Sequence, residues 1–258
     1  MPTVLYESEG EIARITLNRP EKRNAIDHEM FAELKSAFER AAEDDAISVV
    51  VLSGNGPVFC AGYDLSGSPY ITAPEGGWKQ DSAIARLRKV EGLYRAVWDC
   101  PKVTIAKVHG AALAAGSYLQ LLCDISVCAE SARLGHPVRG GGSTSMPLLQ
   151  VAMPYRKARY LLMTKRVVDG RTAERLDLVT MCVPDAELDE VVEGIARDCI
   201  IEDHDRASMA KVAFNTALEI GGVGAMFRYH GQMNALARVG RTGPIQTAIS
   251  DRINKTEG

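Results

Sequence analysis

The sequence predicts an α/β body followed by a helical C-terminal region. Three observations predict it. Up to residue 185, short β-branched segments alternate with longer segments whose apolar residues recur every three or four positions. Two of the short segments, Ser48–Ser53 and Val103–Val108, are nearly continuous apolar runs, as suits strands covered on both faces. Beyond residue 185, helical patterns follow one another with no strand between them. Strand–helix–strand alternation calls for parallel pairing with right-handed crossovers.

Taken in order, Val4–Glu9 and Glu11–Asn18 read as a hairpin joined at Gly10, and residues 18–24 as a polar loop. Asp27 is placed to cap a helix whose apolar residues are Met30, Phe31, Leu34, Phe38 and Ala41. The strand Ser48–Ser53 is closed by Gly54-Asn55-Gly56-Pro57. Residues 66–80, with Gly67, Pro69, Pro74, Gly76 and Gly77, read as a mobile surface loop. A long helix follows, with Ile84, Leu87, Tyr94, Val97 and Trp98 expected on one face. Pro101 precedes the strand Val103–Val108, Gly110–Leu122 reads as a tight turn running into a helix, and Ile125–Ala129 is a further strand. The closing helices are expected over Ala186–Ile201, Arg206–Ile220, Ala225–Arg238 and Pro244–Arg252. The division is thus residues 1–185, an α/β core with the ligand site, and residues 186–258, helical, with no linker that would let the two move freely.

Composition excludes several classes. With 46% hydrophobic and 24% charged residues, the chain is an ordinary globular protein rather than a disordered one. A net charge of −3 offers no global basic field for nucleic acid or an anionic membrane. Arg86, Arg88, Lys89 and Arg95 on the long helix are expected on a solvated face. The longest apolar stretch, Ala111–Cys123, is broken by Gly116, Ser117 and Gln120 and falls short of the roughly 20 residues that span a bilayer. The first residues show no signal peptide, so a cytoplasmic location is expected. The six cysteines form no CxxC pair, which fits reduced, buried thiols and no metal site.

No GxSxG, Walker A, HExxH, EF-hand or GxGxxG motif is present. What stands out is two small-residue turns after buried strands, Phe59–Leu65 and His109–Tyr118. Ligands of open α/β sheets bind at such places. The second turn feeds a helix N-terminus, whose N–H groups attract developing negative charge. One N–H from each turn would make an oxyanion hole for a thioester carbonyl. Tight backbone packing explains small-residue turns equally well.

Four segments decide between these. Asn18-Arg19-Pro20-Glu21-Lys22-Arg23-Asn24-Ala25, Phe59-Cys60-Ala61-Gly62-Tyr63-Asp64-Leu65, Pro101–Gly116, and Cys123-Asp124-Ile125 through Ala132 stand in the order and spacing of the crotonase superfamily, the enoyl-CoA hydratase/isomerase family, which the chain resembles from residue 1 to about 200 and more loosely beyond. The resemblance implies a crotonase-like ββα spiral body with a helical C-terminal trimerisation region. It implies a homotrimer or dimer of trimers. It also implies an acyl-CoA substrate, with coenzyme A part of the substrate and no tightly bound cofactor. The oxyanion N–H groups would be those of Tyr63 and Ala115. Ala61, Asp64 and Leu65 would hold the adenine and pantetheine portions, and Lys22 and Arg23 would contact CoA phosphates. Pro57-Val58 stands where many relatives carry a lysine.

The chain departs from the resemblance where proton transfer should occur. The two glutamates of the hydratases fall at Tyr118 and Val138, and neither is acidic. Valine transfers no proton, and a tyrosine with an ordinary pKa near 10 serves as a donor rather than a base. His136 is the best candidate for a replacement general base, by position and by its ordinary pKa near 6.5; a packing or hydrogen-bonding histidine in the place of the family's usual Gln is the other reading. Arg139 is placed to bind a carboxylate or orient an enolate. Ser143, Thr144 and Ser145 read as a flexible turn or an anion nest, Asp124 as structural, and Tyr229 and His230 as C-terminal residues able to reach a site. The expectation is an acyl-CoA-processing enzyme that stabilises a thioester enolate or oxyanion by a route other than two-glutamate hydration. The alternatives are an acyl-CoA hydrolase or isomerase using His136 and Tyr118, or a catalytically silent acyl-CoA-binding protein.

Overall fold

The expected hairpin opens the structure: β1 (Val4–Glu9) and β2 (Ile12–Leu17) pair antiparallel around Gly10, whose φ of 55° is the left-handed conformation a tight turn needs. The computed structural model describes residues 1–66, 77, 79–137, 149–200 and 204–236. Asp27 caps α1 (His28–Glu43) by accepting from Met30 N at 2.9 Å, and the helix buries Met30, Phe31, Leu34, Ala37, Phe38 and Ala41.

The apolar runs become the centre of the main sheet. β3 (Val49–Gly54) pairs parallel with β2 and with β4 (Val103–Val108), Val51 standing opposite Ile105. β6 (Ile125–Ala129) and β9 (Met181–Val183) extend it in the order β1-β2-β3-β4-β6-β9, parallel throughout except for the hairpin. Val49, Val50 and Leu52 are fully buried because helices cover both faces.

A second, three-stranded sheet was not expected. Between β4 and α3 (Ala115–Leu122) lies β5 (Ala111–Leu113), which pairs with β7 (Arg133–Gly135), which pairs in turn with β8 (Val167–Asp169). The helices α4 (Leu149–Ala152), α5 (Tyr155–Thr164) and α6 (Gly170–Arg175) surround this sheet in sequence.

The long helix α2 (Gln80–Trp98) corrects one expectation. Its buried positions include Ala83, Arg86, Val90, Leu93 and Val97, and Tyr94 and Trp98 pack partly buried against the core, so the buried arc takes in much of the expected face and extends beyond it. Arg86 is therefore buried rather than solvated. The helix packs against α1, α3 and α9 (Val223–Leu236) at once, so its buried arc is wide.

After β9 come only helices: α7 (Leu188–Asp198), α8 (His204–Ile220) and α9. They are pinned to the body by Lys211, which reaches Asp124 at 2.7 Å, and by Arg95, which pairs with Glu219 at 2.8 Å and lies over the Phe227 ring. The expected segment Pro244–Arg252 lies outside the described residues. All six cysteines are free. Among the described residues no helix is long and apolar enough to cross a membrane, and no cluster of residues could hold a metal ion.

Candidate active site

The two small-residue turns meet. Cys60 N donates to Ala111 O at 2.9 Å and Leu113 N donates to Cys60 O at 2.9 Å, so the first turn lies alongside β5 and continues the ladder. Gly62 then comes up against the residues that open α3. A Cβ at Gly62 would stand 3.0 Å from Ala114 Cβ and 3.5 Å from Ala115 N. A Cβ at Gly116 would stand 2.3 Å from Cys60 O. Only glycine permits both approaches. Ala114, the residue before α3, takes φ 51° and ψ −113°, a conformation L-residues rarely adopt. This strain aims the first N–H of α3, that of Ala115, which has no partner within the helix.

Tyr63 sits next to Gly62. Gly62 O accepts from Ile26 N at 2.7 Å and Asp64 N donates to Ile26 O at 2.9 Å. This bridge uses the groups on either side of the Tyr63 N–H, as alternation along an extended segment requires. The anchor of the whole turn is Asn24. It is fully buried, with φ 52°, and its Nδ2 donates to Asn55 O at 2.9 Å and Val58 O at 2.8 Å.

The residues expected to hold CoA gather at one lip. Arg23 O accepts from Ala61 N at 3.0 Å, bringing Lys22, Arg23, Ala61 and Leu65 onto neighbouring segments. Lys22, Arg23 and Leu65 are exposed. Asp64 is committed within the protein: it pairs with Arg19 at 3.1 Å and accepts from Ser66 N at 2.9 Å. Burial raises its pKa, but the Ser66 hydrogen bonds and the Arg19 guanidinium outweigh it and hold the carboxyl below its usual range.

At Tyr118, the position to which the resemblance assigned a glutamate, the structure holds a group of tyrosines. Tyr118 is 2% exposed, and its hydroxyl has no hydrogen-bond partner among the described residues. Its ring meets that of Tyr94 edge-on, with centroids 4.4 Å apart. Tyr94 Oη is 2.6 Å from Tyr63 Oη. Burial, and then the neighbouring Tyr63, push the Tyr118 phenol well above its ordinary value, and burial does the same to Tyr94. These groups stay protonated at neutral pH and are donors, not bases. Sequence reasoning missed Tyr94, which looked like one more apolar-face residue of α2. Its hydrogen bond to Tyr63 crosses between two elements and has no local signal.

His136 follows β7 and is buried, beside Ser117 of α3 and a group of leucines. It lies one residue beyond Gly135, whose carbonyl accepts from Ala114 N at 3.0 Å, so it is tied to the oxyanion turn. Cys60 is fully buried, and burial pushes its thiol up to about 12, which removes it as a nucleophile. Asp124 accepts from Thr104 N at 2.8 Å and from Lys211, a structural role as expected. Val138, Arg139, Ser143, Thr144 and Ser145 lie outside the described residues, as do residues 67–76 of the expected loop. Tyr229 is exposed on α9.

Comparison with known proteins places these features in context. The family description "enoyl-CoA hydratase/isomerase" matches residues 7–233. The chain is 37% identical over 190 residues to a protein of Mycobacterium tuberculosis named a probable enoyl-CoA hydratase, covering 70% of each. It is 32% identical over 232 residues to one of the same name from Rhizobium meliloti, covering 84% of this chain and 83% of the relative. Among solved structures, an enoyl-CoA hydratase/isomerase from Xanthobacter autotrophicus superposes with a TM-score of 0.82 at 30% identity, covering 91% of this chain and 87% of that one.

Proposed function

The chain belongs to the enoyl-CoA hydratase/isomerase family, and from that premise we propose that it is an acyl-CoA-processing enzyme that stabilises a thioester enolate or oxyanion without the two-glutamate hydration mechanism. The observation that carries this reading is the contact of Gly62 with Ala114–Ala115, bought with a strained backbone at Ala114. It supports an oxyanion hole formed by the N–H groups of Tyr63 and Ala115. Such donors are fixed before the charge develops and need no reorganisation.

The thioester carbonyl oxygen accepts from both N–H groups, which favours negative charge on that oxygen as the enolate forms. Lys22 and Arg23 hold the CoA phosphates at the lip, with Ala61, Leu65 and the Asp64 backbone against the adenine and pantetheine. Tyr118 donates a hydrogen bond or proton and does not act as a base, because burial keeps its phenol protonated. His136 serves as the general base, and Arg139 orients the enolate or an acyl carboxylate. Coenzyme A is part of the substrate. The exposed apolar side chains of α8 and α9, among them Met209, Val212, Phe214 and Tyr229, support a homotrimer or dimer of trimers built through the C-terminal helices. The free cysteines fit a cytoplasmic location.

The first test is incubation with crotonyl-CoA, following loss of the conjugated enoyl-thioester absorbance alongside binding of the ester. Binding without hydration is the expected result. Rapid hydration would show that water is activated without the two glutamates and would make Tyr118 and His136 the residues to mutate, whereas failure to bind any CoA ester would overturn the proposal. An acyl-CoA hydrolase or isomerase using His136 and Tyr118 is the second reading, favoured by the burial of both the His136 imidazole and the Tyr118 phenol. In either case His136→Ala is expected to lower turnover about 10²-fold with little loss of binding.

A further inference from the structure

β9 is the edge strand of the main sheet and has three residues, each opposite one residue of β6. Met181 stands opposite Val127, Cys182 opposite Cys128 and Val183 opposite Ala129. Register partners in parallel strands share a face of the sheet, and neighbouring strands run about 4.8 Å apart. That spacing lies inside the range of Cα separations a disulfide spans, about 4.4–6.8 Å. Gly170, which opens α6, shows where the sulfurs point. A Cβ there would meet Cys182 Sγ at 2.8 Å and Cys128 Sγ at 3.1 Å, so both sulfurs crowd one point. Cys128 is fully buried, whereas Cys182 is partly exposed. The other four cysteines, Cys60, Cys100, Cys123 and Cys199, lie outside the strands.

We propose that Cys128 and Cys182 are a redox pair, a dithiol that a low-molecular-weight disulfide converts into a disulfide between β6 and β9. Exposure assigns the roles. The Cys182 thiolate attacks the reagent: a bond forms between Cys182 Sγ and one reagent sulfur, the reagent's own S–S bond breaks, and one thiol leaves. Cys128 then attacks Cys182 Sγ, the protein disulfide forms, the mixed disulfide breaks, and the second thiol leaves. The two protein thiols give up two protons and two electrons, and the reagent takes them up in becoming two thiols. Burial raises both cysteine pKa values, and at Cys182 the hydrogen bond from Cys128 opposes the rise. The exchange is therefore slow, since the thiolate is the nucleophile, and it begins at Cys182. An edge strand of three residues yields more readily than a central one to the sulfur–sulfur bond length of about 2.05 Å. The bridge would fasten β9 to β6 and close the stretch between them, which carries β7, His136, α4, α5, β8 and α6. None of this rests on the reading of the acyl-CoA site.

The test is incubation of the reduced, folded chain with millimolar oxidised glutathione for a day. The reaction is then quenched in acid, and the chain is unfolded, alkylated, digested and read by peptide mass spectrometry. In the wild type, two of the six thiols are expected to escape alkylation, in a peptide pair joined through Cys128 and Cys182 and separated by reductant. Cys128→Ser is expected to stop at a glutathione mixed disulfide on Cys182, and Cys182→Ser to form no bridge. Six alkylated thiols in the wild type, or a bridge between other cysteines, would overturn the inference. A mixed disulfide forming as fast on Cys128 in Cys182→Ser would overturn the assignment of Cys182 as the attacking thiol. The readout needs no turnover, so failure to bind any CoA ester would remove the proposed function and leave the redox pair standing.

Discussion

Tyr118→Phe separates the stability of this site from its chemistry. The ring is 2% exposed and packs edge-on against Tyr94 at 4.4 Å, and phenylalanine keeps that contact. Only the hydroxyl is lost, and it has no partner among the described residues. A buried hydroxyl without a hydrogen bond costs about 1–3 kcal/mol. Removing it is expected to stabilise the protein by about 1 kcal/mol, at the low end because the phenylalanine site keeps a small gap. In a chain of this size that corresponds to about 2–4 °C in melting temperature. If Tyr118 donates to the substrate, turnover falls about 10²-fold in the same variant. Circular dichroism melting at matched subunit concentration, together with turnover of whichever CoA ester the wild type consumes, reads both numbers. A loss of stability of 1 kcal/mol or more would show that the hydroxyl is engaged, and the burial argument would fail. Higher stability with unchanged turnover would remove Tyr118 from the proton inventory.

Three further outcomes follow from the same geometry. Gly62→Ala places a Cβ 3.0 Å from Ala114 Cβ on a backbone with φ 106°. It is expected to cost about 1–3 kcal/mol in urea unfolding and to abolish turnover, whereas near-normal activity would mean the turns need not touch. Asn24→Ala removes the bonds from Nδ2 to the carbonyls of Asn55, Val58 and Phe59 and the one that Oδ1 accepts from Arg19 N. The expected loss is about 2 kcal/mol by denaturant titration, and a loss below half of that would mean the loop is held by other contacts. Alkaline pH is the third: the folded phenols of Tyr94 and Tyr118 lie above the unfolded value of 10.0, so the unfolded chain releases those protons first. Their stabilisation is complete below pH 10 and is lost as pH rises beyond it. Tyrosinate absorbance should therefore show two phenols ionising only together with unfolding, and early, reversible ionisation of every tyrosine would contradict this.

The long elements were legible in the sequence. β3 and β4 announced themselves as apolar runs, and Asp27 marked the start of α1. The strands β5, β7, β8 and β9 were not, since each has three residues and no period can be read from three. They exist because neighbouring strands supply their hydrogen bonds. The buried arc of α2 proved wider than foreseen, taking in Arg86, for a related reason: three partners pack against it, and a single-stripe pattern describes one. The two turns were visible as small-residue segments, but their contact at Gly62 was foreseen only through the family resemblance. Tyr94 was invisible as a site residue because its role lies in a hydrogen bond to Tyr63 across two elements.

The site divides into a frame and a set of chemical groups, and the sequence treats the two differently. The frame is Asn24, Gly62, Ala114 and Gly116, each held by sterics or backbone hydrogen bonds that leave little room for substitution. On the proposed reading such a frame polarises a thioester whatever happens to the side chains around it. The proton-transferring positions obey no such constraint. At Tyr118 the side chain is a phenol, and burial keeps it protonated across the whole neutral range. A carboxylate at that depth would itself be pushed toward its neutral form. The family relationship therefore carries over the binding and polarising half of the reaction with more force than the proton-transfer half. Ester binding that survives every change at Tyr118 and His136, while turnover does not, is the pattern this division requires.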